Sequence, residues 1–141
     1  MTLSERIQFQ EAIKYGQTLK GANVLQVITV DELPQSIPAI ISEIIRISSV
    51  PTARLANTAS DEELSLWVTS FFEESLENKT FFKPNEIFWR FWFVISITDF
   101  NYFVKNYLSG SSSKDFYLAD VSGKRVQALL NEEYNYELFI H

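Results

Sequence analysis

The sequence predicts an α+β domain in which about four helices pack on one face of a mostly antiparallel sheet of about five strands. Three observations predict this class. Amphipathic helical segments alternate with short segments rich in β-branched and aromatic residues, and the C-terminal segment has the alternation of a β-meander. Hydrophobic residues make up 46% of the chain and charged residues 21%, which provides enough apolar area for a core. The predicted order is α-β-α-α-β-α-β-β-β, and the length of 141 residues indicates one domain over residues 1–141.

The N-terminal segment predicts a helix that begins after Thr2 and stops at Gly21. Thr2 and Glu5 have the spacing of a capping box, and glycine commonly ends a helix. The residues of its inner face recur at helical spacing: Phe9, Ala12, Ile13, Gly16 and Leu19. Residues 24–30 are rich in β-branched side chains and predict a short strand that is buried on both faces.

A second helix is predicted to begin near Ser36, between Pro34 and Pro38. Five isoleucines fall on one stripe of this helix: Ile37, Ile40, Ile41, Ile44 and Ile45. Because β-branched residues are mediocre helix formers, the packing of that stripe must stabilise the helix. Residues 52–59 are small and polar and predict a connection.

The third helix has the clearest start. Ser60 and Glu63 form a capping box, and residues 61–63 are all acidic, which the helix dipole favours in a first turn. We expect this helix to continue to about Asn78 and the segment 81–85 to break the structure.

Residues 87–97 predict one long strand because they are dense in aromatic and β-branched residues, although a helix from Pro84 is an alternative. One face would be wholly apolar and covered by helices: Ile87, Trp89, Phe91, Phe93, Ile95 and Ile97. The other face would be mixed: Phe88, Arg90, Trp92, Val94 and Ser96.

Thr98 is predicted to cap a fourth helix that ends at Gly110. Three strands then follow over residues 115–121, 125–130 and 134–140, with a turn at residues 122–124. A helix over residues 124–133 is the alternative for part of this segment.

Negative charge is unevenly distributed along the chain. The formal net charge is −6, which weighs against nucleic-acid binding, since that affinity comes largely from Lys and Arg. Residues 61–77 contain six acids and no base: Asp61, Glu62, Glu63, Glu73, Glu74 and Glu77. A second acidic cluster comprises Glu132, Glu133 and Glu137.

The usual catalytic and ligand-binding patterns are missing from the sequence. There is no cysteine, and the one histidine is the terminal His141, so we expect no enzyme, no metal and no cofactor. Glu73 and Glu77, at i and i+4, could hold a divalent cation, but a solvated acidic face is the simpler interpretation. The N-terminus does not resemble a secretory signal and no apolar run is long enough to span a bilayer, so we expect a cytoplasmic protein without a membrane partner.

These patterns lead us to expect a non-enzymatic, acidic protein-interaction domain. One form would be an inhibitor of the immunity or antitoxin type, which neutralises a basic partner such as a toxin, as bacterial immunity proteins do. Tyrosine is enriched at interface hot spots, so two tyrosines near the second cluster join the expected partner-binding residues. These are Glu73, Glu74, Glu77, Glu132, Glu133, Tyr134 and Tyr136.

Two alternatives from other classes remain open. The chain could bind or hydrolyse a small molecule in an aromatic pocket lined by Trp89, Trp92 and Phe103. It could also be a structural protein that forms a homodimer by pairing the long aromatic strand across two copies.

Overall fold

A computed structural model describes residues 1–46, 49–73 and 79–141. The helices are α1 (Leu3–Gly16), α2 (Ser36–Ile44), α3 (Asp61–Phe71) and α4 (Phe100–Gly110). The strands are β1 (Ala22–Thr29), β2 (Ala53–Ala56), β3 (Thr80–Pro84), β4 (Phe91–Ile97), β5 (Phe116–Asp120), β6 (Val126–Asn131) and β7 (Asn135–Ile140). A short 3-10 helix, Val30–Glu32, follows β1. None of the described helices is long and apolar enough to cross a membrane.

The strands form one antiparallel sheet in the order β1-β4-β3-β5-β6-β7-β2. The α+β class is therefore confirmed, and the described residues form seven strands rather than about five. The meander of β5, β6 and β7 is also confirmed, and the two helices considered as alternatives, from Pro84 and over residues 124–133, are wrong.

Helices cover both faces of the sheet, so the prediction of helices on one face is wrong. In β4, Phe93 packs against the core under α1, α3 and α4, whereas its neighbours Trp92 and Val94 pack on the other side with Ile37 and Ile44 of α2. Successive side chains of a strand point to opposite faces. A strand that is apolar at every position therefore requires a helix on each side.

The starts of the helices follow local capping chemistry. The Thr2 hydroxyl accepts the Glu5 backbone N–H at 3.1 Å, and Ser60 with Glu63 forms the expected capping box. The cap of α4 is Asp99 rather than Thr98, since the Asp99 carboxylate accepts the Tyr102 N–H at 3.1 Å.

α3 ends earlier than predicted, because tertiary hydrogen bonds replace helical ones. Phe72 is extended, with φ −75° and ψ 141°. The backbone N–H of Glu73 donates to the Gln127 side chain at 2.8 Å, and the Gln127 amide donates back to the Glu73 carbonyl at 2.9 Å. The remainder of the predicted helix, up to Asn78, lies outside the described residues.

Two strands occur where the sequence predicted none. β2 lies in the predicted connection and pairs with β7, with Arg54 opposite Glu137. β3 occupies the predicted break and lies between β4 and β5. β2 is very short and β3 ends in proline, so neither has a strong local strand pattern.

β4 is shorter than the predicted strand. It begins at Phe91, and residues 87–90 form a turn in which Trp89 is exposed. The alternation of faces within residues 91–95 follows the prediction. β4 lies inside the sheet between β1 and β3, so it does not have the free edge that pairing across a homodimer requires.

Candidate functional site

A cleft of about 650 Å³ opens on the α2 face of the sheet, beside the C-terminal end of α2. We call it the acidic cleft. Its residues come from the end of α2, from β2, from the start of β5, from the end of β6, from alternate positions of β7, and from the turn between β6 and β7. They include Ile44, Ile45, Arg46, Arg54, Asp115, Tyr117, Leu130, Glu132, Glu133, Tyr134, Glu137 and Phe139. α2 ends at Ile44, and the cleft lies at that end of the helix, beside Ile45 and Arg46.

The acidic cleft has a surplus of negative charge. Four acids and two arginines line it, which gives a formal charge of −2. Glu137 is paired with Arg54 at 3.0 Å. Asp115, Glu132 and Glu133 form no ion pair with any residue that the structure describes. Their carboxylates are therefore placed to receive a cationic group from another molecule.

Burial and mutual repulsion affect the groups at the base of the cleft. Burial, together with the nearby Glu132, raises the pKa of Asp115, even though its carboxylate accepts the Asn131 N–H at 2.6 Å. Burial also raises the pKa of Tyr117, and the charges of Asp115 and Glu132 add to that effect. The repulsion between Asp115 and Glu132 is not relieved by an ion pair to either residue within the described part of the chain.

The lysine next to this part of the sheet does not neutralise Asp115. Lys83 is in register with Tyr117, but its Nζ donates to the carbonyls of Ile87, Phe88 and Phe91 at 3.3, 2.7 and 2.9 Å. Burial lowers the pKa of Lys83 to about 8, which leaves it charged at neutral pH. Its three protons are all engaged by backbone oxygens, so the ammonium holds the turn before β4.

The turn between β6 and β7 is held rigidly. The Asn57 side chain donates to the carbonyls of Glu132 at 3.2 Å and Glu133 at 2.9 Å, and the Asn57 N–H donates to the Tyr134 carbonyl at 3.2 Å. These bonds use the backbone and leave the side chains of the turn exposed; that of Tyr134 is 73% exposed. A rigid backbone lowers the entropic cost of binding a partner.

The structure brings together three of the residues predicted to bind a partner: Glu132, Glu133 and Tyr134. Tyr136 is 6% exposed and packs on the opposite face of the sheet, so its side chain does not reach the cleft. Glu74 and Glu77 lie outside the described residues.

Glu73 lies apart from the cleft. Its carboxylate is paired with Arg125 at 3.0 Å, and its backbone is bonded to Gln127, on the α3 face of the sheet. From Gln127 to Glu132 an extended strand covers roughly 16 Å. Glu73 and the second acidic cluster therefore do not form one surface.

The sequence did not single out several residues of the cleft as partner-binding. Asp115 immediately precedes β5 and Tyr117 lies on it, whereas Arg46 and Arg54 lie before and within β2; none of these residues is a sequence neighbour of Glu132. The alternation of each strand by itself indicates that Asp115 and Tyr117 share one face of their strand, and that Glu137 and Phe139 share one face of theirs. Only the strand order shows that both pairs lie on the same face of the sheet.

The aromatic pocket considered from the sequence is not formed. Trp89 is exposed, whereas Trp92 and Phe103 are buried in two cores on opposite faces of the sheet. These three side chains therefore cannot line one cavity.

A second polar cluster connects α1, α4 and the turn after β3. Glu86 accepts hydrogen bonds from the hydroxyls of Tyr107 at 2.9 Å, Tyr15 at 3.4 Å and Ser111. Burial, with the adjacent Glu86, raises the pKa of both tyrosines. The Ser111 oxygen also accepts the Lys114 N–H, so we interpret this cluster as a clamp on the end of α4.

No protein-family model, no curated protein and no solved structure matches this chain. The function is therefore inferred from the chemistry of the acidic cleft itself.

Proposed function

We propose that this chain is a non-enzymatic protein-interaction domain whose acidic cleft binds a basic segment of a partner protein. One observation carries the proposal: three carboxylates without an ion-pair partner among the described residues, those of Asp115, Glu132 and Glu133, surround one concave surface. An immunity-type or antitoxin-type inhibitor that neutralises a basic partner is one form of such a domain.

The side chains of the cleft suit an arginine or a lysine. Carboxylates form the strongest hydrogen bonds with guanidinium and ammonium groups. Tyr134 and Tyr117 line the same cleft, and an aromatic ring beside a cation adds a cation–π contact that strengthens when it is desolvated. Leu130 and Phe139 provide apolar surface for the aliphatic stem of the side chain.

The overall charge supports a basic protein as the partner. A chain with a net charge of −6 repels nucleic acid and attracts cationic proteins over long distances. Such complementarity accelerates encounter and excludes wrong partners. The complex should therefore associate more slowly as salt is added.

The test is a titration of the ¹⁵N-labelled domain with a short arginine-rich peptide, in which binding is monitored through the amide chemical shifts. We expect the largest changes at Asp115, Tyr117 and residues 132–135. In the double variant Glu132→Lys with Glu133→Lys, affinity should fall roughly tenfold, because two exposed charge contacts become repulsive.

The matched control is the double variant Glu11→Lys with Glu62→Lys, which changes the net charge equally at exposed positions on α1 and α3. It should retain most of the affinity. Equal losses in the two double variants, or shifts spread evenly over the surface, would show that only net charge matters and would refute a cleft site.

A further inference from the structure

We infer that β1 is a dimerisation edge, at which two copies of this chain pair their β1 strands antiparallel so that one sheet continues through both. β1 is the first strand in the sheet order, and β4 is its hydrogen-bonded neighbour. Within the described part of the chain, no strand lies on its outer side. The backbone groups on that side are a template for another strand.

β1 lacks charge, proline and short length, three of the features that protect edge strands; the one it has is a β-bulge at Leu25. It is eight residues long and contains no charged residue and no proline. β2, at the opposite edge, has four residues and contains Arg54, which is ion-paired with Glu137. Short length and charge discourage pairing, so β2 is protected and β1 is exposed to a partner strand.

An apolar groove lies beside the exposed edge. It has a volume of about 500 Å³ and runs between α1 and β1. Its larger apolar residues are Phe9, Ile13, Leu19, Val24, Leu25 and Val27. A strand added to β1 would cover part of this surface, which adds a hydrophobic contribution to the backbone hydrogen bonds.

A β-bulge determines which register a dimer would use. The pairing of β1 with β4 shifts between Val24 and Gln26, so Leu25 is the extra residue. As a result, Val24 and Val27 lie on the same face of the sheet. Residues that are paired across two antiparallel strands have their side chains on the same face of the sheet. A twofold axis between Leu25 and Gln26, at the bulge, satisfies this condition. The pairs between copies are then Ala22 with Thr29, Asn23 with Ile28, and Val24 with Val27.

The charge of the strand also favours pairing at this edge. Two chains of net charge −6 repel each other, and β1 contains no charged residue, so two copies approach there at the least electrostatic cost. The pairing does not extend beyond the strand, because Gly21 has a φ of +77° and Val30–Glu32 is a 3-10 helix. The Glu32 carboxylate accepts the Thr29 N–H at 3.1 Å, so the central pairs of Val24 with Val27 contribute most to the interface.

The dimer and the acidic cleft are independent features. β1 and β7 are five strands apart in the sheet order, which corresponds to roughly 24 Å. Pairing at β1 leaves the cleft open in both copies. Failure of dimerisation would therefore not affect the peptide titration, and failure of the titration would not affect the dimer.

Sedimentation equilibrium tests the inference. The wild-type chain should have twice its 16.3 kDa mass. Leu25→Lys places like charges next to the twofold axis and should give a monomer, whereas Leu66→Lys, on α3, should remain dimeric. The two leucines are 52% and 66% exposed, so neither substitution disturbs the core. A wild-type monomer at millimolar concentration, or a dimeric Leu25→Lys variant, would overturn the inference.

Hydrogen exchange of the wild-type chain provides a readout without a variant. Outward-facing amides of β1 should exchange more slowly as the chain concentration rises, and amides of β2 should not change. Exchange in β1 that is independent of concentration would contradict pairing at this edge.

Discussion

Gln127 holds the position at which α3 ends. Its buried side chain accepts hydrogen bonds from the Glu73 N–H at 2.8 Å and from Arg125 at 3.0 Å, and donates to the Glu73 carbonyl. We expect Gln127→Leu to lower the free energy of unfolding by about 2–3 kcal/mol, because it leaves these groups without partners. Glu73→Ala removes only an ion pair whose carboxylate is 75% exposed and should cost at most about 0.5 kcal/mol. Urea unfolding of both variants checks this; equal losses would contradict it.

Asp115 is a residue at which stability and the proposed function oppose each other. Because burial raises the pKa of this carboxyl in the folded state, its favourable contribution is present below its ordinary pKa of 3.8 and is lost as the pH rises. Asp115→Asn should therefore be more stable than wild type at neutral pH and equal to it below pH 3.8. The variant can still accept the Asn131 N–H, and it should bind the arginine-rich peptide more weakly. Urea unfolding at the two pH values checks the first effect. If the variant is less stable than wild type at neutral pH, burial of the ionised Asp115 carboxylate does not destabilise the folded state.

At the scale of elements, Gly21 joins β1 to the start of α4. Its φ is +77°, and its carbonyl accepts the N–H groups of Thr98 at 2.8 Å and Asp99 at 3.0 Å. A Cβ here would lie 2.7 Å from the Asp99 carbonyl and from the Phe103 nitrogen. Gly21→Ala should therefore destabilise the domain by about 2 kcal/mol or more.

The control for Gly21→Ala is Gly110→Ala, at the last residue of α4. A Cβ there meets nothing within 4 Å, and alanine is the better helix former. Thermal unfolding should give a lower Tm for Gly21→Ala and an unchanged or higher Tm for Gly110→Ala. Similar losses in both variants would mean that glycine flexibility matters more than the close approach.

At the scale of the whole molecule, the Glu86 cluster couples stability to alkaline pH. The pKa values of Tyr15 and Tyr107 are raised, mainly by burial, above the ordinary value of 10.0. The stabilisation they provide is complete below pH 10 and is lost above it, because the unfolded chain then releases their protons. We expect the free energy of unfolding to fall above pH 10, and to fall less steeply in Tyr107→Phe. Urea unfolding of both proteins at several pH values above 10 checks this. If the free energy of unfolding falls equally steeply with pH in the wild type and in the variant, this coupling is excluded.

The two proposed surfaces lie on different parts of the molecule and could act together. A dimer through β1 would present two acidic clefts, one at the far side of each half of the continuous sheet. A partner with two basic segments could then engage both, which raises the effective concentration of the second segment. In that case, Leu25→Lys should weaken binding of a two-segment partner while leaving the single peptide unaffected.

Local patterns alone determined the features that depend on neighbouring residues. Ser60 with Glu63 specified the start of α3, the spacing of apolar residues specified α4, and alternation specified β5 to β7, because caps and periodicity act within a few residues. The acid-rich turn at residues 132–133 was likewise visible in the sequence.

Only the tertiary structure decided the remaining features. β2 and β3 form because neighbouring strands pair with them, α3 stops because Gln127 binds its end, and α2 crosses to the second face because β4 is apolar on both. The acidic cleft depends on strand order, which brings Asp115 beside Glu132, and no local pattern encodes that proximity.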